Sequence, residues 1–344
     1  MKFPAAAALD ATALAELLDA DFSEWPELGE NGTELGVPTE LWEKALLGPA
    51  REFLSRPGKE FRARLVHSAW SLAGGEGDQM PAQLPLLVEI IHAGSLIIDD
   101  IQDQSESRRG AETLHKLYGT AVAINTGNWL YYWPFVLIGR LGLEPTVQLD
   151  LYQQASLTML RCHQGQALDL SARVFELGAR DLPGVVAATT RLKTGSLMEF
   201  AARLGASAAG GDRKTTALLS KFGRELGCAL QMLDDVGGLM AKSRRAKGNE
   251  DLRLARPTWP WSWLAEDADE VTFAKLHGDA RAVFDGSDPE LVAAPLRELL
   301  GQSGPAKVKH HLQRALAGLE EEFPGAPALT SIHREVSRLE RSYV

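Results

Sequence analysis

Apolar residues recur three and four positions apart along almost the whole chain, the spacing that lines one face of a helix. Alternating runs bounded by turn dipeptides, the mark of paired strands, are missing. The pattern predicts helices over 85–98, 121–141, 146–173, 182–204, 214–239 and 306–323. The first of these, PLLVEIIHAGSLII, is apolar over most of its surface, as suits a helix inside a large protein. Breaks fall at Gly74-Gly75, Gly77, 142–145, Gly210-Gly211 and 285–289. No Pro/Ser-rich linker divides the chain and no short repeat recurs. The expectation is therefore a single all-α domain over 1–344, a long helical bundle. The residues carrying the motifs below span about 50–265, with smaller helices over 266–344. The tryptophan-rich PTWPWSW at 257–263 reads as a structural corner packed on the core.

Composition narrows the function classes. Of 344 residues 45% are hydrophobic and 24% charged, the balance of a globular protein in water. A formal net charge of −10 argues against general nucleic-acid binding, and a polyanionic ligand would need its cations gathered locally. Cys162 and Cys228 are the two cysteines, with no spacing for a zinc site or a disulfide framework. The opening MKFPAAAALDATALAELLDADF reaches Asp10 quickly and reads as an acidic helix rather than a signal peptide. No apolar run approaches a membrane span, so a reduced cytoplasmic location is expected.

The sharpest chemical signal is LIIDDIQDQSESRRG, at 96–110. Asp99 and Asp103 lie four residues apart and share a helix face, with Asp100 beside them. Like charges at that spacing cost about 0.2–0.5 kcal/mol unless a cation binds them. Magnesium suits the pair, since it takes one or two carboxylates and completes its shell with water and phosphate oxygens. Arg108 and Arg109 follow, with forks that match phosphate, and Gly110 lets the backbone turn away. For a DDxxD alone, a solvated acidic helix end is as good a reading. The arginine pair and the apolar helix in front tip the balance to function.

This segment resembles the first aspartate-rich motif of the trans-prenyl diphosphate synthases, the polyprenyl synthetases. Further segments are similar to that family's elements in the expected order. Gly58-Lys59-Glu60-Phe61-Arg62 is similar to GKxxR, with Ala63 where a proline is usual. Lys59 and Arg62, at i and i+3, are expected on one helix face. His92 lies in EIIHAGSL, similar to the family's ELIHTASL, and 165–170 (GQALDL) is similar to GQxxDL. Lys193-Thr194-Gly195 resembles KTG, and its Thr–Gly pair is expected to break or kink the helix. Gln231 with Asp234 and Asp235 resembles the second aspartate motif, QxxDDxxD, and Lys247 and Arg256 fall where two more basic residues stand. Arg256 replaces the usual lysine, Gly238 the usual final aspartate, and Asn128 the aspartate of a GD pair.

The resemblance implies an isoprenoid-synthase-type helical bundle around a central active-site cavity. It implies condensation of isopentenyl diphosphate with an allylic diphosphate. It further implies three magnesium ions on the allylic diphosphate, held by Asp99, Asp103 and Asp234. Lys193, Thr194, Gln231, Asp100 and Asp235 would join them in catalysis. Lys59, Arg62, His92, Arg108, Arg109, Lys247 and Arg256 would bind substrate, and a homodimer is implied. Chain length is expected to be farnesyl or geranylgeranyl. Gly94 and Ser95 leave the wall before Asp99 open, while Trp129, Tyr131, Tyr132, Trp133 and Phe135 make the next helix bulky. A terpene cyclase, or a non-catalytic subunit that binds prenyl diphosphates, is the alternative.

Overall fold

A computed structural model describes residues 38–58, 60–301 and 303–343. The acidic helix expected at the N-terminus lies outside the described residues. The helices are α1 (Thr39–Trp42), α2 (Gly48–Leu54), α3 (Phe61–Leu72), α4 (Leu86–Gln102), α5 (Leu114–Tyr118), α6 (Thr120–Arg140), α7 (Pro145–Ser171) and α8 (Leu182–Thr190). After them come α9 (Ser196–Ala208), α10 (Arg213–Met240), α11 (Arg245–Arg253), α12 (Trp259–Asp267), α13 (Glu270–Phe284), α14 (Glu290–Leu300), α15 (Ser303–Glu322) and α16 (Pro327–Tyr343). Among the described residues, the only strands form one small antiparallel hairpin, β1 (Ser107–Arg108) and β2 (Ala111–Glu112). The periodicity missed it because two residues per strand are too few to show an alternation. No helix among the described residues is long and apolar enough to cross a membrane.

The chain falls into two compact units. One holds the described residues up to His67 together with Asp78–Ala155; the other holds Ser68–Gly77 and everything from Ser156 onward.

In the first unit α4 packs on α6. Leu87, Val88, Ile90, Ile91 and Ile97 of α4, with Leu130, Trp133, Leu137 and Ile138 of α6, are buried. The helices meet through two glycines. A Cβ on Gly94 would lie 2.8 Å from the Gly127 carbonyl oxygen, and one on Gly127 would lie 2.9 Å from Cδ1 of Ile98. The smallness of Gly94 is therefore used by a helix crossing, which corrects the expectation of an open wall there. Tyr131 sits against the same position, its Cδ1 3.3 Å from that Cβ site. Tyr132 points to solvent at 69% exposure, Trp129 packs edge-on against Trp133, and Phe135 stacks on Tyr152.

The second unit is built on α10, 28 residues long and capped by Asp212, whose side chain accepts from the Thr215 amide at 2.7 Å. Against it lie α9 and α15. Gly223 and Gly227 permit the approach of α9: their Cβ positions would meet the Met198 carbonyl oxygen at 2.4 Å and the Thr194 carbonyl oxygen at 2.8 Å. The single helix expected over 182–204 is instead α8, a π-helical turn over Arg191–Gly195, and α9. The chain does not break at Thr194-Gly195. It inserts one wide turn, a device that re-aims side chains without ending a helix. The PTWPWSW corner opens α12, with Pro260 in its first turn and Trp261 and Trp263 in the core.

These glycine contacts set a sign test. Gly94→Ala should destabilise by about 1–3 kcal/mol, because backbone must move to admit the methyl. Gly278→Ala, in α13 where a Cβ meets nothing within 4 Å, should stabilise by about 0.5–1 kcal/mol. Urea midpoints of the two variants should move in opposite directions.

Candidate active site

In the first unit the end of α4 carries all three aspartates of the first motif. Asp103 caps the helix, its amide donating to the Asp99 carbonyl at 2.9 Å, so both carboxylates stay on one side of its last turn. Asp100 is different: 1% exposed, it pairs with Arg108, whose Nε donates to Oδ1 at 2.7 Å and whose Nη2 reaches the same oxygen. Burial raises the Asp100 pKa, and the Arg108 hydrogen bonds pull against it. Arg108 reaches Asp100 from β1 of the hairpin. The turn itself is Arg109-Gly110, with φ of +54° and +83°. Positive φ at both central residues matches the twist of a two-residue hairpin, but a non-glycine there costs about 1–2 kcal/mol.

Around this hairpin gathers a cluster of cations. The His92 imidazole is held well below its usual pKa by burial and then by Arg62, Arg109 and Arg108. Burial also lowers Arg109; Glu89 opposes the shift, while Arg62, Arg108 and Arg56 add to it. Glu89 has a second task, accepting from the Ala63 amide at 3.1 Å in the first turn of α3, where Arg62 stands. The helix begins at Phe61, after Glu60 at φ +49°. Lys59, expected on one helix face with Arg62, lies outside the described residues. Arg62, His92, Arg108 and Arg109 are thus brought together beside the aspartates, in a chain whose net charge is −10. Asp100 and Glu89 offset part of this positive charge.

In the second unit the π-helical turn is pinched between glycines. A Cβ on Gly165 of α7 would lie 2.6 Å from the Lys193 amide nitrogen, and Gly227 approaches from α10. Lys193 donates to Asp169 at 2.8 Å. Thr194 donates to the Gln231 side-chain oxygen at 3.0 Å, and Gln231 donates onward to Asp235 at 2.8 Å. The other Asp235 oxygen accepts from the Trp259 amide at 2.9 Å. The Trp259 indole returns to Thr190 at 3.0 Å, so the network closes on the residue just before the π turn. Burial pushes Asp235 up to about 8, against these two hydrogen bonds. Asp251, near Lys247 and Arg256, is pushed by burial to about 6. Arg256 donates to Asp251 at 3.3 Å.

Asp234 is held by two cations, Arg244 on Oδ1 and Lys247 on Oδ2. Burial would raise its pKa, and the two cations bring it below the usual carboxylate value. Gly238, where the family pattern has aspartate, is the floor on which α11 rests. A Cβ there would lie 3.2 Å from the Gly248 Cα, and one on Gly248 would lie 2.2 Å from the Gly238 carbonyl oxygen. A side chain at 238 would therefore sit tight against the α11 backbone.

Among the described residues no three His, Cys, Asp or Glu side chains are grouped for a metal ion. Asp99 and Asp103 nevertheless fit magnesium, which needs only one or two carboxylates when substrate phosphate completes its shell. Asp234 fits it only if Arg244 or Lys247 gives way. Sequence reasoning overlooked Glu89, Arg56, Arg244 and Trp259. The basic run KSRRAK at 242–247 hinted at Arg244; nothing local marks the backbone amide of Trp259.

An all-α scaffold carrying two aspartate-rich helix ends, one beside a cation cluster, is that of the isoprenoid synthases. The family model for polyprenyl synthetase matches residues 43–282, and the chain belongs to that family. It is 33% identical over 224 residues to geranylgeranyl pyrophosphate synthase 2 of Zymoseptoria tritici, covering 63% of this chain and 64% of that one. It is 32% identical over 200 residues to geranylfarnesyl diphosphate synthase of Aeropyrum pernix, covering 57% and 62%. The match thus spans less than two thirds of those relatives' own length. Among solved structures, the geranylgeranyl pyrophosphate synthase of Corynebacterium glutamicum, complexed with isoprenyl diphosphate and magnesium, superposes with a TM-score of 0.77. It is 20% identical, covering 96% of this chain and 97% of that one, and so it shares the fold.

Two consequences can be measured. Gly238→Asp should destabilise by about 1–3 kcal/mol in denaturant titrations, because the new side chain lifts α11. In metal-free buffer, stability should fall as pH rises from about 5 to 8.5. Asp235 and Asp251 have folded pKa values above the unfolded carboxylate value of about 4, so the folded state binds the extra protons. Asp235→Asn should flatten that slope in melting temperature against pH.

Proposed function

We propose that this chain is a trans-prenyl diphosphate synthase that joins isopentenyl diphosphate to an allylic diphosphate, head to tail. The observation that carries the reading is the gathering of Arg62, His92 and Arg109 in one unit with the carboxylate pair Asp99 and Asp103. A cation cluster is suited to one diphosphate and a metal-binding carboxylate pair to another. In this reading Arg62, Arg109 and His92, with Lys59, seat the isopentenyl diphosphate. The low pKa of His92 keeps it neutral at pH 7, so it donates a hydrogen bond without adding charge. Arg108 acts mainly by fixing Asp100.

Asp99 and Asp103 would hold magnesium, three ions by family resemblance, with Asp234 joining them where Arg244 or Lys247 gives way. When bound, the metal neutralises charge on the departing diphosphate. Lys193, Lys247 and Arg256 supply further positive potential. Thr194 and Gln231, fixed by Asp235, present dipoles to the developing allylic cation. The motif-bearing core and the C-terminal helices act as one functional domain, and the enzyme works in the cytoplasm. Ile124, Asn128 and Tyr132 make one exposed face of α6 and support a homodimer.

The relatives' names support a geranylgeranyl-length product. Tyr131, against Gly94, is the residue placed to end the tail, in preference to the exposed Tyr132 or to Trp129, which packs on Trp133. The occupied Asp234 favours one rival, a non-catalytic subunit that binds prenyl diphosphates.

Incubation with magnesium, labelled isopentenyl diphosphate and allylic diphosphates of increasing length separates the readings. Elongated product supports the synthase; hydrocarbon from the allylic substrate alone supports a cyclase; neither supports the subunit. Asp99→Ala should lower turnover roughly a hundredfold or more with the helical circular dichroism unchanged. Tyr131→Ala should lengthen the product and Tyr132→Ala should not; unchanged products from Tyr131→Ala would remove it as the stop.

A further inference from the structure

Arg56 is a charged residue at 6% exposure that none of the roles above uses. It follows α2 and points its guanidinium at the arginine hairpin. Nη1 donates to the Arg108 carbonyl at 3.0 Å and Nη2 to the Glu112 carbonyl at 2.6 Å, one acceptor in each strand. Glu52, one turn earlier, fixes the plane of the guanidinium, with Nε at 3.1 Å and Nη2 at 2.9 Å from its Oε1. The backbone is tied in return: Arg109 donates to the Arg56 carbonyl at 3.4 Å. Both guanidiniums lie over the Phe53 ring, Arg56 at 5.3 Å and Arg109 at 5.8 Å from its centroid.

The hairpin needs such a support. It has two residues per strand, and Arg109 at its tip holds a left-handed conformation that a non-glycine adopts only when its surroundings impose it. An isolated two-stranded hairpin is marginal even when longer. Its other anchors, Thr113 on the Ser105 carbonyl and Arg108 on Asp100, tie the base of the hairpin and one side chain. Arg56 bonds a carbonyl on each strand.

We propose that the Glu52–Arg56 pair is a positioning device that sets the direction of Arg109, and so tunes affinity for the homoallylic diphosphate without touching it. The device rests on the isopentenyl reading above. A planar guanidinium spans two carbonyls and a carboxylate at once; a lysine ammonium cannot reproduce that geometry.

The test compares wild type with Arg56→Lys, Arg56→Gln and Glu52→Gln. The hairpin is read by trypsin cleavage after Arg108 and Arg109, mapped by mass spectrometry. Function is read by KM for each substrate. Cleavage should quicken, and KM for isopentenyl diphosphate should rise about tenfold in Arg56→Gln, with the allylic KM and kcat within about twofold. Added guanidinium ion should restore part of the loss. Unchanged cleavage and KM would overturn the proposal, as would an equal loss for both substrates with a collapsed melting temperature, which marks a purely structural role. If wild type condenses nothing, the synthase reading fails by itself. Affinity for inorganic diphosphate, weakened in Arg56→Gln or not, then decides the device.

Discussion

The Asp100 carboxylate, almost out of water at the end of an apolar helix, cannot be left without a counter-charge, since removing one partner of a buried pair costs several kcal/mol. Arg108 supplies it from a hairpin eight residues on, and that single pair ties β1 to the last turn of α4. The consequences spread outward. With Arg108 spent on Asp100, Arg109 is left at the tip of a strained turn, beside Arg62 and His92. Asp99 and Asp103 lie half-buried at the same helix end. Within DDxxD and RRG, burial sets Asp100 and Arg108 apart: they pair with each other and tie the hairpin to the helix end.

In the second unit the governing constraint is backbone approach. Gly165 and Gly227 let two helices, α7 and α10, close on the π turn carrying Lys193 and Thr194, and Gly223 lets α9 follow onto α10. Because the turn is pressed against α10, Thr194 meets Gln231, and the chain of hydrogen bonds through Asp235 and Trp259 becomes possible. The altered second motif meets the same constraint. Gly238 and Gly248 let α11 lie on α10, and α11 together with the turn before it brings Lys247 and Arg244 onto Asp234. Arg244 and Lys247 thus compensate Asp234, while position 238 carries no carboxylate.

The sequence by itself determined the helical class, the ends of the longest helices within a few residues, and the residue types of both clusters. Helical periodicity and the charge of Asp, Arg and Lys are local properties, visible without a fold. The Thr194-Gly195 pair marked an irregularity in the sequence, but the break or kink expected there is a π turn. Tertiary structure decided the rest, because contacts between distant segments leave little local trace. Gly94 reads as an open wall and is a helix crossing; Tyr131 and Tyr132 look alike until one faces Gly94 and the other faces water. Arg56 looks like any arginine beside a proline until the hairpin folds over it. Whether a charged group serves the core or the substrate depends on what lies across from it, and no spacing along the chain encodes that.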